Sequence, residues 1–260
     1  MGDTAPQIVQ PGHRWSRAEV AEWLLDKMPE DSLVGLDISG SLAFADAGAY
    51  FPGWRDSPPD ARALWAMVER LCVEDQHLGA GSFVDHPEIA RHYRRHGARE
   101  GDLFGGGIGR LRVTERFGQT ALGCRPTSNF NLVGASQVGK ASLTGMRVLN
   151  RLSGRLTLWP FDPVPERGAV VVEIYTTIAA LAAGRRAGRS KLRTYAELNE
   201  ALAALGSKPV RGNGEIDDHR SDALLAAAWL RSVAHRPEYW QPQAMMPEIA
   251  HTEGWTFGAL

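Results

Sequence analysis

The stretch Leu33-Val34-Gly35-Leu36-Asp37-Ile38-Ser39 decides how the rest of the chain is read. Four apolar or small residues run into an acid without helical spacing, which predicts a short buried strand ending on a carboxylate. Upstream, Ser16-Arg17-Ala18-Glu19 is a capping box, because the Ser hydroxyl and the Glu carboxylate satisfy each other's exposed backbone donors; it opens an amphipathic helix through Met28, which Pro29-Glu30-Asp31 stops. Downstream, residues 40–58 alternate small, aromatic and turn residues (Phe44, Tyr50, Phe51, Pro52, Gly53), predicting a hairpin or meander that continues the sheet from the first strand.

Farther along, Leu64, Met67, Val68 and Leu71 recur at helical spacing and predict a helix over 59–73. Residues 76–130 are glycine-rich and irregular, and read as a mobile insertion. A helix closing 131–152, strands at 155–159 and 169–175, and helices at 176–183, 195–205 and 222–233 complete an alternating α/β pattern. The tail from Pro237, with Trp240, Pro242, Pro247 and Trp255, reads as irregular packing. The expected division is an N-terminal helical extension (1–30), one α/β domain (31–236) carrying the insertion at 76–130, and a tail (237–260) packed on it.

Composition allows this and excludes some alternatives. At 260 residues, with 43% hydrophobic and 23% charged residues, the chain is long and apolar enough to bury a sizeable core. Twenty-nine Lys and Arg against 30 Asp and Glu leave a formal charge of -1, so any attraction to a polyanion must be local. Cys72 and Cys124, far apart and without close His or Cys neighbours, support neither a disulfide framework nor a structural zinc site. The start has no secretory pattern, and the apolar window 169–184 is too short for a bilayer and contains Glu173. A soluble, cytoplasmic protein without membrane contact is expected.

Three acids stand out by position: Asp37 at the end of the first strand, Glu173 within Val170-Val171-Val172-Glu173-Ile174-Tyr175, and Asp222 at the opening of an Ala/Leu-rich helix. A carboxylate flanked by Val and Ile loses hydration when its strand packs and needs a cation or strong hydrogen bonds to remain ionised. Mg²⁺ or Mn²⁺ suits such oxygen ligands, since these ions keep several waters and often bridge to substrate phosphate. In Asp217-Asp218-His219-Arg220-Ser221-Asp222, His219 and Asp222 are three apart and face one way in a first helical turn. Asp217 and Asp218 read first as helix capping and dipole compensation, with Asp218 also carried as a candidate metal ligand.

Together, Gly35-Leu36-Asp37, Val172-Glu173-Ile174-Tyr175, His219-Arg220-Ser221-Asp222-Ala223-Leu224 and Glu253-Gly254-Trp255-Thr256-Phe257-Gly258 resemble an uncharacterised bacterial and archaeal family of predicted ribonuclease-H-like nucleases. The order of acids is also similar to that of RuvC-type Holliday-junction resolvases, whereas the terminal motif matches only the uncharacterised family. The resemblance runs discontinuously from Leu33 to the C-terminus and leaves 76–130 unmatched. It implies an α/β, ribonuclease-H-like fold, a mixed central sheet flanked by helices, with the acids converging at the middle strands. Asp37 and Asp222 would ligate metal, Glu173 would bridge or complete the site, and His219 would be a ligand or proton-transfer group in two-metal phosphodiester hydrolysis of nucleic acid.

Two basic clusters suit phosphate contact: Arg91-His92-Tyr93-Arg94-Arg95-His96 with Arg99, where Tyr93 could stack on a base, and Arg185-Arg186 with Arg189, Lys191 and Arg193. A solvated surface explains either equally well. Gly134-Ala135-Ser136-Gln137-Val138-Gly139-Lys140-Ala141 nearly matches a phosphate-binding loop, but Ala141 replaces the metal-binding hydroxyl and Ser142 comes one place late. Ser136, Gln137 and Lys140, with Ser39, Arg185 and Arg186, are therefore read as candidate substrate contacts near the acids. The runner-up is an ATPase or GTPase using the imperfect loop. Gly35-Leu36-Asp37-Ile38-Ser39-Gly40-Ser41 superficially resembles the first phosphate loop of the actin and sugar-kinase superfamily, but one domain is too few to close over ATP. The remaining alternative is a noncatalytic domain that binds a partner through its Trp-rich tail.

Overall fold

A computed structural model describes residues 4–134, 138–186 and 190–260. Helix α1 (Arg17–Asp26) leads into strand β1 (Leu33–Leu36) and helix α2 (Ala61–Leu71). A 3₁₀ turn (Gln76–Leu78), short helices α3 (Gly81–Asp85) and α4 (Pro87–Ala90), strands β2 (Arg94–Arg95) and β3 (Arg99–Glu100), and helix α5 (Val113–Leu122) follow. The second half carries α6 (Val138–Leu152), β4 (Thr157–Trp159), β5 (Val170–Glu173), α7 (Thr176–Ala182), α8 (Tyr195–Ala204), α9 (Asp218–Val233), α10 (Pro237–Trp240) and α11 (Pro247–Thr252).

The main sheet has three strands in the order β1-β5-β4, with β5 parallel to both neighbours. Leu36 is in register with Glu173, so β5 ends on an acid and β1 ends beside it, one residue before Asp37. Alternation along β5 divides the core: Val171 faces a cluster with Leu64 and Trp65 of α2 and Leu143 and Met146 of α6. Val170 and Val172 face a second cluster with Ile178 of α7, Leu198 of α8 and Trp229 of α9. The result is a parallel sheet with helices on both faces, as parallel strands require.

The predicted helices and main strands form close to their expected bounds, and the Ser16–Glu19 capping box is present. The meander over 40–58 is not: this segment turns through Gly48 (φ 67°) and Gly53 (φ 87°), and Tyr50 and Phe51 anchor it in the core. The main sheet is accordingly all-parallel, not mixed. Residues 76–130 also differ from expectation, because Phe83, Ile89, Tyr93, Phe104 and Phe130 are core residues. The glycines there serve turns and close contacts; a Cβ on Gly101 would lie 2.1 Å from the Arg91 carbonyl oxygen. In the tail, Trp255 and Phe257 are fully buried. Among the described residues, no helix is long and apolar enough to cross a membrane.

Candidate functional site

Gly35 lets α9 approach β1. A Cβ at that position would lie 2.8 Å from Leu230 Cδ1 and 2.9 Å from Ile174 Cδ1, so these side chains occupy the space a larger residue would need. The approach brings the N-terminal half of α9 to the end of β1. Asp37, His219 and Asp222 consequently line one cavity of about 510 Å³, together with Ile174, Thr176 and Ala223. Helix α9 begins at Asp218, four residues before the expected start at Asp222, with the Asp217 side chain accepting the Arg220 backbone N–H at 3.0 Å. Asp217 is thus the cap, and Asp218 occupies the first helical position.

Asp37 and Thr176, the latter at the start of α7, line the same wall, and the Thr176 backbone N–H weakly favours the ionised carboxylate. Asp37 is open to solvent, yet the surrounding walls thin its hydration, and this desolvation is the main reason its carboxyl is pushed up to about 6. The negative charge of Asp222 acts in the same direction and that of Glu173 adds a smaller effect, while Lys191 opposes them. Lys191 Nζ lies 2.8 Å from Asp222 Oδ2 and 3.6 Å from Asp218 Oδ2.

Glu173 is held differently. Arg112 grips both of its carboxylate oxygens, Gly40 N–H donates to Oε2 at 2.6 Å, and Thr256 Oγ1 donates to Oε1 at 2.6 Å. The expectation that Glu173 completes a cation pocket is therefore revised: a buried guanidinium already occupies the position of its counter-ion. Arg112 also reaches Glu115 Oε1 at 3.0 Å and the Glu253 carbonyl oxygen at 2.9 Å. The fully buried Glu253 accepts backbone N–H groups of Phe44 (2.7 Å) and Ala45 (2.8 Å) through Oε1, and that of Val113 through Oε2. Desolvation raises the Glu115 carboxyl against the opposing pull of Arg112.

The other candidate contacts separate. Ser39 is buried, and its backbone N–H donates to Ser142 Oγ at 3.3 Å. Lys140 is exposed on the first turn of α6. Gly139 is explained by packing, since a Cβ there would lie 2.2 Å from the Asn129 carbonyl oxygen; Ser142 Oγ lies 3.1 Å from Asn129 Oδ1. Gly139 thus has a packing role, and the Ser142 hydroxyl is engaged within the core. Arg185 lies 3.7 Å from Glu197 Oε1 and Arg186 is exposed, whereas Ser136, Gln137 and Arg189 lie outside the described residues. In the first basic cluster, Arg91 pairs with Asp102, Arg94 with Glu100 and Arg95 with Asp85. Tyr93 is fully buried and so cannot stack on a base.

Arg112, Glu115 and Glu253 are not among the site residues expected from the sequence. Glu253 did carry a signal as the first residue of the terminal motif, but Arg112 and Glu115 lie in the stretch read as an insertion. Among the described residues, no group of three or more His, Cys, Asp or Glu side chains is arranged to hold a metal ion. A closed multi-ligand cage does not fit this donor set. An Mg²⁺-type ion would suit it better, because such an ion is commonly bound through one or two carboxylates, with waters and substrate oxygens completing its shell; of the three aspartates on the cavity wall, Asp31 precedes β1 and accepts the Gly168 N–H, which leaves Asp37 and Asp222 as the carboxylates that would hold it. No protein-family model, curated protein or solved structure matches the chain.

Proposed function

We propose that this protein is a ribonuclease-H-like, Mg²⁺- or Mn²⁺-dependent phosphodiesterase acting on nucleic acid, with Asp37 and Asp222 as its metal-binding carboxylates. The observation that carries this reading is the meeting of two carboxylates from distant segments on one open cavity, where their charges disfavour each other. Arranging like charges beside a substrate-sized space costs stability, and a divalent cation would relieve that cost.

Bound there, the ion would neutralise charge on a phosphodiester oxygen and lower the pKa of a coordinated water. Asp37 lies beside the start of α7, Asp222 is fixed on α9, and His219 lines the same wall, where it would serve in proton transfer. Glu173 contributes by position: held by Arg112, it accepts the backbone N–H of Gly40, three residues beyond Asp37. This engagement favours a single ion over the pair that the resemblance implies. Arg185, Arg186 and Arg193, on the same stretch of chain as Lys191, are the candidate phosphate contacts.

The test is cleavage of single-stranded, duplex and branched DNA and RNA in Mg²⁺ or Mn²⁺ by the parent protein, Asp37→Asn and Asp222→Asn. Cleavage should fall at least 100-fold in both variants while their far-ultraviolet circular dichroism is retained. Unchanged cleavage by folded Asp37→Asn rejects the site.

A further inference from the structure

We infer that Lys191 is an exchangeable counter-cation built into the Asp37–Asp222 site, which a divalent ion must displace in order to bind. The inference rests on the metal-site reading above and adds a control on its occupancy. Lys191 Nζ donates to Asp222 Oδ2 at 2.8 Å and sits 3.6 Å from Asp218 Oδ2, so it covers an oxygen that a metal ion would need.

The two cations of this region are held in contrasting ways. Arg112, with 1% of its side chain exposed, grips Glu173 in a bidentate pair and is tied to Glu115 and the Glu253 carbonyl as well. A planar guanidinium fixed at several points is a permanent part of the fold. Lys191 has 51% of its side chain exposed, a flexible stem and a single rotatable ammonium, and its partners lie on α9 alone. Ion pairs open to solvent are weak and easily exchanged. Asp37 has no ion-pair partner among the described residues, so Lys191 touches the carboxylates of α9 directly and acts on Asp37 only through its charge. A divalent ion at Asp37 and Asp222 would bring like charge against the ammonium, and the two cations compete.

Binding of Mn²⁺ alone, followed by loss of the free-ion electron paramagnetic resonance signal, tests this without measuring catalysis. Lys191→Ala should bind Mn²⁺ about tenfold more tightly than the parent, whereas Lys191→Arg, which keeps the charge, should stay within about twofold of it. Equal or weaker binding by Lys191→Ala overturns the inference, as does equal tightening in both variants, which would remove charge as the cause. If the parent binds Mn²⁺, Asp37→Asn does not, and Lys191→Ala is unchanged, the metal site stands and the role of Lys191 falls. Absence of binding by both the parent and Lys191→Ala overturns the metal site itself, and the inference with it.

Discussion

Arg112 Nη2 lies 2.6 Å from Glu173 Oε1 while Nη1 lies 2.8 Å from Oε2, so one guanidinium closes over the whole carboxylate at the end of β5. With Glu115 and the Glu253 carbonyl on its other donors, Arg112 joins the start of α5, the central strand and the C-terminal segment. Removing one member of a buried ion pair leaves its partners charged and unpaired, at a typical cost of about 3–5 kcal/mol. Arg112→Ala should lower the unfolding free energy measured by urea denaturation by that much at pH 7. Arg112→Lys should recover only part of the loss, because an ammonium cannot make the bidentate grip. A loss below about 1 kcal/mol for Arg112→Ala would show that the network does not hold the fold.

Asp37 makes an opposite prediction. Its folded value of about 6 lies above the ordinary 3.8, so between those values the folded chain keeps a proton that the unfolded chain releases. Stability attributable to this group therefore falls as pH rises through that window, and the whole penalty is present at neutral pH. Allowing for solvent screening of an exposed carboxylate, Asp37→Asn should stabilise the protein by about 1 kcal/mol at pH 7.5, raising Tm by about 2–4 °C. The gain should vanish near pH 4, where Asp37 is protonated in the fold. A Tm difference independent of pH would exclude the electrostatic cause.

Gly35 sets the spacing between β1 and α9. With Leu230 Cδ1 2.8 Å and Ile174 Cδ1 2.9 Å from a Cβ at that position, Gly35→Ala must push two packed side chains aside. Such overpacking costs about 1–3 kcal/mol. The same shift moves Asp222 relative to Asp37, so Mn²⁺ affinity should fall even at temperatures where the variant is fully folded. An unchanged urea midpoint together with unchanged Mn²⁺ binding would mean that the side chains relax freely and that Gly35 does not position the site.

What was legible in the sequence follows the range of the physics involved. The Ser16–Glu19 capping box and the apolar run of β5 are local patterns, and they predict α1 and β5 directly. The juxtaposition of Asp37 with His219 and Asp222 was also expected, though from a resemblance rather than from spacing. The pairing of Glu173 with Arg112 depends on how a glycine-rich stretch packs against the sheet, and neither residue's neighbours in sequence encode it. The meander failed for a related reason: the alternation of small, aromatic and turn residues over 40–58 fits a hairpin, but here Tyr50 and Phe51 anchor turns that have no partner strand. Lys191 was visible only as one of several basic residues, and its contact with Asp222 emerged from the fold.

The near-match to a phosphate-binding loop gives the last prediction. A functional loop of that kind needs its glycine for the approach of phosphate and its lysine for phosphate charge. Here a Cβ on Gly139 would lie 2.2 Å from the Asn129 carbonyl oxygen, backbone that cannot rotate away, whereas Lys140 points from an exposed position. Gly139→Ala should therefore destabilise the protein by about 1–3 kcal/mol or more through overpacking alone. Lys140→Ala, as a surface change, should stay within about 0.5 kcal/mol of the parent in urea unfolding. Calorimetry with ATP and GTP in Mg²⁺ should give no saturable heat for the parent. Saturable nucleotide binding that disappears in a stably folded Lys140→Ala variant would instead restore the loop as a ligand site and move the functional centre of the molecule from the end of β1 to the start of α6.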